Sequence, residues 1–382
     1  MPELKGPSGR PLRVAHLTTV DMSLSLLLAT ELAYDVEQGL EVFGLSAPGP
    51  YVPDIEALGV THVPLPALTR SWDLRADLRA ARQLLRELRR LRLDVLHTHN
   101  PKTGVLGRVL GRVARIPVVV NTCHGLWAGA DDAPTKRAAV VGIEGIAGRF
   151  SHAELYQNEE DRRTLSRWVG RKQETVGNGI DLTRFRPDPA ARARVRAELG
   201  VADDELLVGG VGRMVAEKGM AEYAEAARAL AGKARFVWIG RTDPDKTDAL
   251  GTAPEGVELL GERRDMAAVY AALDVFVLPS YREGFSRSGM EAAACGVASV
   301  LSDIRGCREV GHDGETLLLV PPRDGRSLTD AIARLLSDEA LRSRLGAAAR
   351  ERALSHFDQR EIAAKSIRTY AGVAARRGLA WS

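Results

Sequence analysis

The sequence predicts two α/β units, each a parallel sheet wound on both faces by helices. Three observations predict it. The chain has 382 residues, more than one ordinary core takes and suited to two domains of about 150–200 residues each. Short apolar runs alternate with longer amphipathic segments along its whole length, the pattern of a doubly wound sheet. Most of those runs are continuous Val, Leu and Ile rather than alternating, as strands buried on both faces require.

In chain order, the strand candidates are 12–18, 40–46, 94–99, 118–123 and 153–157, then 206–211, 236–239, 257–260, 275–279, 298–301 and 317–320. Helical patterns fill the intervals. Leu78, Ala81, Leu85, Leu88 and Leu91 form one stripe. Leu328, Ala331, Ile332, Leu335 and Leu336 form another, at the spacing of a single helix face. The domain boundary is placed near Pro187–Pro189, after the turn-like Gly177-Asn178-Gly179-Ile180-Asp181 and before a charged helix over 190–199. This gives a first domain over 11–186, a second over 187–357, and a last segment, 358–382, whose helix is expected to return to the first domain. A cleft is expected between the two, with ligands beyond the carboxyl ends of the strands.

Composition excludes several classes. The 53 basic and 50 acidic residues leave a net charge of +3, no footprint of a nucleic-acid binder. Three cysteines, Cys123, Cys295 and Cys307, neither build a disulfide framework nor match a zinc spacing, and fit a reducing compartment. No run approaches the ~18 apolar residues of a membrane span. Met1–Pro11 is polar, lacks an apolar signal core and reads as a disordered lead-in. The expectation is a cytoplasmic protein, either free or peripheral at the inner face of a membrane, of unassigned oligomeric state.

Two loops after strands in the second half carry the chemistry. The first runs Gly210-Val211-Gly212-Arg213-Met214-Val215-Ala216-Glu217-Lys218-Gly219. Its glycines admit close backbone approach; Arg213 can fork onto phosphate oxygens, and Lys218 adds a compact second charge. Such cations stabilise a diphosphate leaving group. The loop lacks the third glycine of a dinucleotide fingerprint and is no P-loop. The second runs Glu283-Gly284-Phe285-Ser286-Arg287-Ser288-Gly289-Met290-Glu291 and opens a helix over 289–295, whose first-turn N–H groups suit a phosphate. Glu283 is placed to accept from sugar hydroxyls and Glu291 from a ribose diol. Ser288 and Glu291 also read as a capping box that needs no ligand.

In the first half, His97-Thr98-His99-Asn100-Pro101-Lys102-Thr103-Gly104 and Asn121-Thr122-Cys123-His124-Gly125 follow strands and suggest an acceptor site. His97 and His99 alternate, so only one is expected to face it. A metal held by His97, His99 and His124 has no supporting carboxylate or cysteine pattern. The helical segment Arg75–Arg92 is rich in arginine. It reads either as a solvated face or as attraction to an anionic membrane surface.

Glu283 to Glu291 matches the Glu-x7-Glu signature of glycosyltransferase family 4, and Gly212-Arg213 to Glu217-Lys218-Gly219 resembles that family's phosphate loop. Asp303-Ile304-Arg305-Gly306-Cys307-Arg308-Glu309, with Asp313-Gly314-Glu315 and Leu319-Val320-Pro321, is similar to its next loop. Gln157-Asn158-Glu159-Glu160-Asp161 resembles the end of its first domain, or is simply a capped helix start.

The resemblance implies a GT-B fold of two Rossmann-like domains facing a cleft. It also implies a retaining, metal-independent transfer of a hexose or N-acetylhexosamine from a nucleotide-sugar, UDP-linked, with no cofactor. The implied acceptor is lipid-linked or a cell-envelope polysaccharide. By the same resemblance Arg213 and Lys218 hold the diphosphate, Glu291 the ribose, and Glu283 with Gly284, Phe285 and Ser286 the donor sugar. Arg263 or Arg264 lies near the base, and His124 sits close to the transferred sugar, with His99 on the acceptor side. The family's Gly-Gly loop after the first strand reads Thr18-Thr19-Val20-Asp21-Met22-Ser23-Leu24 here, with Ser23 in the glycine's place. A nucleotide-sugar epimerase of similar fold, a transferase using a small soluble acceptor, and a non-catalytic binding protein are the alternatives.

Overall fold

The computed structural model describes residues 5–6, 9–69, 73–129, 132–242 and 254–381. It divides into two compact units. Unit 1 is 1–177 with 359–382, and unit 2 is 178–358. The division falls at Gly177/Asn178, ahead of the Pro187–Pro189 segment, and the last helix, Gln359–Arg376, is part of unit 1.

Unit 1 carries β1 (Arg13–Val20), β2 (Glu41–Ala47), β3 (Thr61–Pro64), β4 (Val95–Thr98), β5 (Val118–Cys123), β6 (Ala153–Tyr156) and β7 (Gln173–Thr175). They lie in the order β3-β2-β1-β4-β5-β6-β7, and every pair is parallel. Unit 2 carries β8 (Leu207–Val211), β9 (Arg235–Ile239), β10 (Glu258–Gly261), β11 (Val275–Leu278), β12 (Ala298–Ser302) and β13 (Leu318–Val320). Their order is β10-β9-β8-β11-β12-β13, again all parallel. In each sheet the chain starts at a central strand, fills one side, then crosses to the other. The reversal points, β1/β4 and β8/β11, are where such folds bind ligands.

Each expected strand is present, and β3 and β7 are additional. Both are edge strands. β7 reads Gln-Glu-Thr with no buried residue, so it lacks the apolar run that marks an interior strand.

Apolar side chains cover both faces of each sheet. In unit 1, Val14, Val118, Val120 and Leu155 pack with Ile367, Tyr370 and Val373 of the last helix on one face. Leu17, Leu45 and Leu96 pack with Leu84, Leu88 and Leu91 on the other. The expected stripe on helix Leu74–Leu91 is therefore shifted. Ala80, Leu84, Leu88 and Leu91 face inward and Leu78 is exposed. The arginines 75, 79, 82, 86, 89, 90 and 92 are all exposed. Asp73 caps this helix by accepting from the Ala76 N–H at 2.7 Å. The stripe on Gly325–Ser337 holds, with Leu328, Ile332 and Leu335 fully buried.

The lead-in expectation changes in part. Residues 1–4, 7 and 8 lie outside the described residues, but Arg10 donates to both carboxylate oxygens of Asp94, at 2.7 and 2.9 Å. Gln157–Asp161 is a capped helix start, Asn158 accepting from the Asp161 N–H at 2.8 Å. Among the described residues, no helix is long and apolar enough to cross a membrane.

Candidate active site

In unit 2 the two motif loops meet beyond β8 and β11. After β8 the chain makes a short helical turn, Ala216–Lys218, and leaves it through Gly219 at φ +72°. A Cβ at Gly219 would lie 2.1 Å from the Pro279 carbonyl oxygen, so only glycine lets this loop press on the chain leaving β11. The Tyr281 N–H donates to the Glu217 carbonyl at 2.9 Å. The contact places Lys218 Nζ 2.5 Å from Glu283 Oε1, both side chains partly buried.

The loop after β12 locks the same region. The Ser286 N–H donates to the Gly306 carbonyl at 3.0 Å, and a Cβ at Gly306 would lie 2.5 Å from the Glu283 carbonyl oxygen.

The helix opened by this loop is Arg287–Ala294, two residues earlier than expected. Its cap is Ser286, which accepts from the Gly289 N–H at 3.1 Å. The capping box of Ser288 and Glu291 is therefore not formed. Glu291 instead pairs with Arg287, Nε to Oε1 at 3.1 Å, and burial raises its carboxyl pKa. Phe285 turns inward, edge-on to Phe357 at 5.9 Å between ring centroids. Gly284 lies between Glu283 and Phe285 in this loop. Arg213 stands two residues past the end of β8, after Gly212. Arg263 is held by Glu198 at 2.6 Å and Asp265 at 2.7 Å. The Arg264 carbonyl accepts from Arg184 at 2.9 Å.

In unit 1 the reversal point is built from histidines. His16 on β1 sits in register with His97 on β4, and His99 follows β4 directly. All three are fully or almost fully buried. His16 Nε2 lies 3.0 Å from Asp35 Oδ2, and His16 Nδ1 lies 3.2 Å from His99 Nε2. His99 Nδ1 lies 2.9 Å from His124 Nε2. His97 bonds Tyr370 Oη and Thr122 Oγ1, each at 2.7 Å.

The expectation that only one of His97 and His99 faces the site is overturned. Residues two apart on a strand share a side, and the two rings lie 4.2 Å apart between centroids.

Ser23 also differs from expectation. β1 runs on to Val20 and a helix, Asp21–Leu27, begins at once, so Ser23 sits in a helical turn rather than a glycine-like loop. Ligand atoms of His16, Glu31, His97 and His99 lie within 4.8 Å of one another, but each ring nitrogen of these histidines already bonds protein.

The sequence reading missed His16, Asp35, Glu31 and Tyr370. A histidine inside the apolar run of β1, and an aspartate on the inward side of helix Ala29–Glu37, were the available signals.

Burial lowers His97 and His99 well below the ordinary imidazole value and takes His124 down to about 4. Burial likewise lowers His62, and takes His152 to about 4. Unfolded imidazoles titrate near ~6.5. Their contribution to stability is therefore full above that value and is lost as pH falls from about 6.5 toward 4. Asp35, Glu31 and Glu291, raised by burial, and His16, raised by its carboxylate partner despite burial, act in the opposite direction but are fewer than the five lowered histidines. The expected result is a melting temperature lower at pH 5 than at pH 7.5 by roughly 5 °C. A flat or inverted profile in a fluorimetric melt series contradicts it.

Residues 205–338 match the family model "Glycosyl transferases group 1", and residues 26–179 match "Glycosyl transferase 4-like domain". Among solved structures, HepE of Anabaena, determined in complex with UDP, superposes with a TM-score of 0.79 at 18% identity, covering 95% of this chain and 100% of that one. A sucrose-phosphate synthase of Thermosynechococcus elongatus does so with 0.80 at 22% identity, over 96% and 100%. The fold is thus that of the GT-B glycosyltransferases.

One curated relative is N,N'-diacetylbacillosaminyl-diphospho-undecaprenol alpha-1,3-N-acetylgalactosaminyltransferase of Campylobacter jejuni, 30% identical over 75% of this chain and 79% of that one. Another is UDP-Gal:alpha-D-GlcNAc-diphosphoundecaprenol alpha-1,3-galactosyltransferase of Escherichia coli, 27% identical over 72% and 75%. The chain belongs to glycosyltransferase family 4, and it is a glycosyltransferase.

Proposed function

We propose that this glycosyltransferase moves a hexose or N-acetylhexosamine from a UDP-sugar to a lipid-linked or cell-envelope glycan acceptor, with retention of configuration. The observation that carries the donor assignment is the Lys218–Glu283 pair at the β8/β11 reversal, beside the start of helix Arg287–Ala294. An incoming diphosphate would take the Lys218 ammonium, joined by Arg213 and the N–H groups of that first turn. Glu283, so released, would accept from sugar hydroxyls, with the backbone of Gly284, Phe285 and Ser286 beside it. Glu291 would accept the ribose and Arg264 would lie near the base. Three cationic elements on one diphosphate would do the work a divalent ion does elsewhere, so no metal is required.

Names of relatives support the acceptor. Two act on undecaprenol-diphosphate-linked sugars, and a third, CapM of Staphylococcus aureus, is described as a capsular polysaccharide biosynthesis glycosyltransferase. His124 and His99 would form the acceptor side. Attack from the face the diphosphate leaves would give retention. The exposed arginines of helix Leu74–Leu91 would suit an anionic membrane surface holding a lipid-linked acceptor.

The test is a thermal-shift screen of nucleotides and nucleotide-sugars in EDTA. A UDP compound at about 100 times its dissociation constant is expected to stabilise by about 2.7 kcal/mol. Stabilisation by another nucleotide class would change the donor; stabilisation by none would remove the donor site.

A further inference from the structure

The histidines of unit 1 make a continuous chain with ends of different character. It runs from Asp35 Oδ2 to His16 Nε2 (3.0 Å), from His16 Nδ1 to His99 Nε2 (3.2 Å), and from His99 Nδ1 to His124 Nε2 (2.9 Å). The inner end is fully buried, and Asp35 Oδ1 has no hydrogen-bond partner. The outer end, His124, is partly exposed, and its Nδ1 takes no part in the chain.

A neutral imidazole has one donor and one acceptor nitrogen. A run of them bonded nitrogen to nitrogen must therefore share one polarity, and the ends decide which. We infer that Asp35, His16, His99 and His124 are a proton relay. It presents Nδ1 of His124 to a substrate hydroxyl as a base and stores the accepted proton at the buried Asp35–His16 pair.

This rests on the proposed transferase reading, with the hydroxyl being that of a glycan acceptor. With Asp35 ionised, each ring carries its proton on Nε2 and His124 Nδ1 bears a lone pair. When the hydroxyl gives its proton to His124 Nδ1, the His124 Nε2 proton passes to His99 Nδ1. The His99 Nε2 proton then passes to His16 Nδ1. Three N–H bonds form, at the three Nδ1 atoms. One O–H and two N–H bonds break. The charge ends on His16, an imidazolium against the Asp35 carboxylate.

This arrangement answers a difficulty in the site. Burial alone takes His124 down to about 4, too low for it to hold a proton near neutral pH. The carboxylate raises His16 instead, so the charge comes to rest where it is paired. The other titratable groups facing the chain are Glu31 on the helix that carries Asp35, His97 on β4 and Tyr370 on the last helix. His97 is outside the relay because both its nitrogens bond hydroxyls.

The test is ring-¹⁵N NMR of the full chain across pH, with Asp35→Asn and His99→Phe. In the wild type, the proton of His124 is expected to move from Nε2 to Nδ1 with the same midpoint at which His16 becomes an imidazolium. Asp35→Asn should lower that midpoint by at least about one pH unit for both rings, as loss of a charged partner does. His99→Phe should uncouple them while the fold, followed by circular dichroism, persists.

For the activity, His99→Phe should lower kcat on the order of 10²-fold at unchanged donor KM, and Asp35→Asn should move the acid limb of the rate profile with the NMR midpoint. Independent titration of His16 and His124 in the wild type would overturn the relay. So would stoichiometric metal on these rings by elemental analysis. Coupling intact with kcat unchanged in His99→Phe would overturn its part in the reaction. Failure of every nucleotide-sugar in the donor screen would strike the transferase reading and leave the NMR coupling as the separate measure of the relay.

Discussion

Replacing Lys218 by alanine is expected to lower turnover on the order of 10²-fold or more, as loss of a leaving-group contact does. The side chain has two candidate roles, and the variant separates them. As half of an ion pair with Glu283 at 2.5 Å, it contributes little to folding, since partly exposed pairs are worth about 0–1 kcal/mol. As the ammonium facing a departing diphosphate, it acts most strongly in the transition state, where charge builds on the leaving group. The loss should therefore fall on kcat and kcat/KM alike while the melting temperature scarcely moves. Lys218→Arg is not expected to restore the rate. A planar fork whose charge is spread over three nitrogens cannot occupy the point-charge position set by the turn Ala216–Lys218 and Gly219. Steady-state kinetics with the nucleotide-sugar selected in the thermal screen provide the measurement. An unchanged kcat in the alanine variant would remove Lys218 from the mechanism.

The largest expected effect on stability lies in unit 1, at Arg108. Its guanidinium is buried and bonds Glu144, both oxygens of Glu154 at 3.1 and 3.2 Å, and the Gly104 carbonyl at 2.8 Å. Burial by itself lowers the guanidinium pKa, but the two carboxylates outweigh it and the net shift is upward. Arg108→Met keeps most of the volume and leaves two buried carboxylates with no cation between them. Breaking such a pair costs about 3–5 kcal/mol, so unit 1 should melt on the order of 10 °C lower. The deficit should shrink as pH falls, because protonating Glu144 and Glu154 removes the unpaired charge. Adding Glu144→Gln and Glu154→Gln should recover much of it. A calorimetric loss below about 1 kcal/mol would show that the two glutamates find other partners.

The strength of the fold signal in the sequence varied with position in the sheet. Val118–Cys123 and Val275–Leu278 were plain because strands buried on both faces must be apolar throughout. β3 and β7 were not, because an edge strand has only one neighbour and β7 has no buried residue. Helix starts were displaced by one or two residues where a cap was misjudged. Ser286, not Ser288, caps Arg287–Ala294, because the loop is pinned by Ser286 to Gly306 before the helix begins.

The donor-side motifs were legible because each is a short run on one loop. The spacing from Glu283 to Glu291 and the order Gly212, Arg213, Lys218, Gly219 are local facts. They hold however the sheets are ordered, and so the residue types alone determined the family, the number of parallel-sheet units and the loops that carry charge. The pairing of Lys218 with Glu283 and the chain from Asp35 through His16 and His99 to His124 were decided only by tertiary structure. His16 and His99 stand 83 positions apart, and they meet because β4 lies directly beside β1. Strand order is a non-local outcome of packing both faces of a sheet, and no spacing read along one strand contains it.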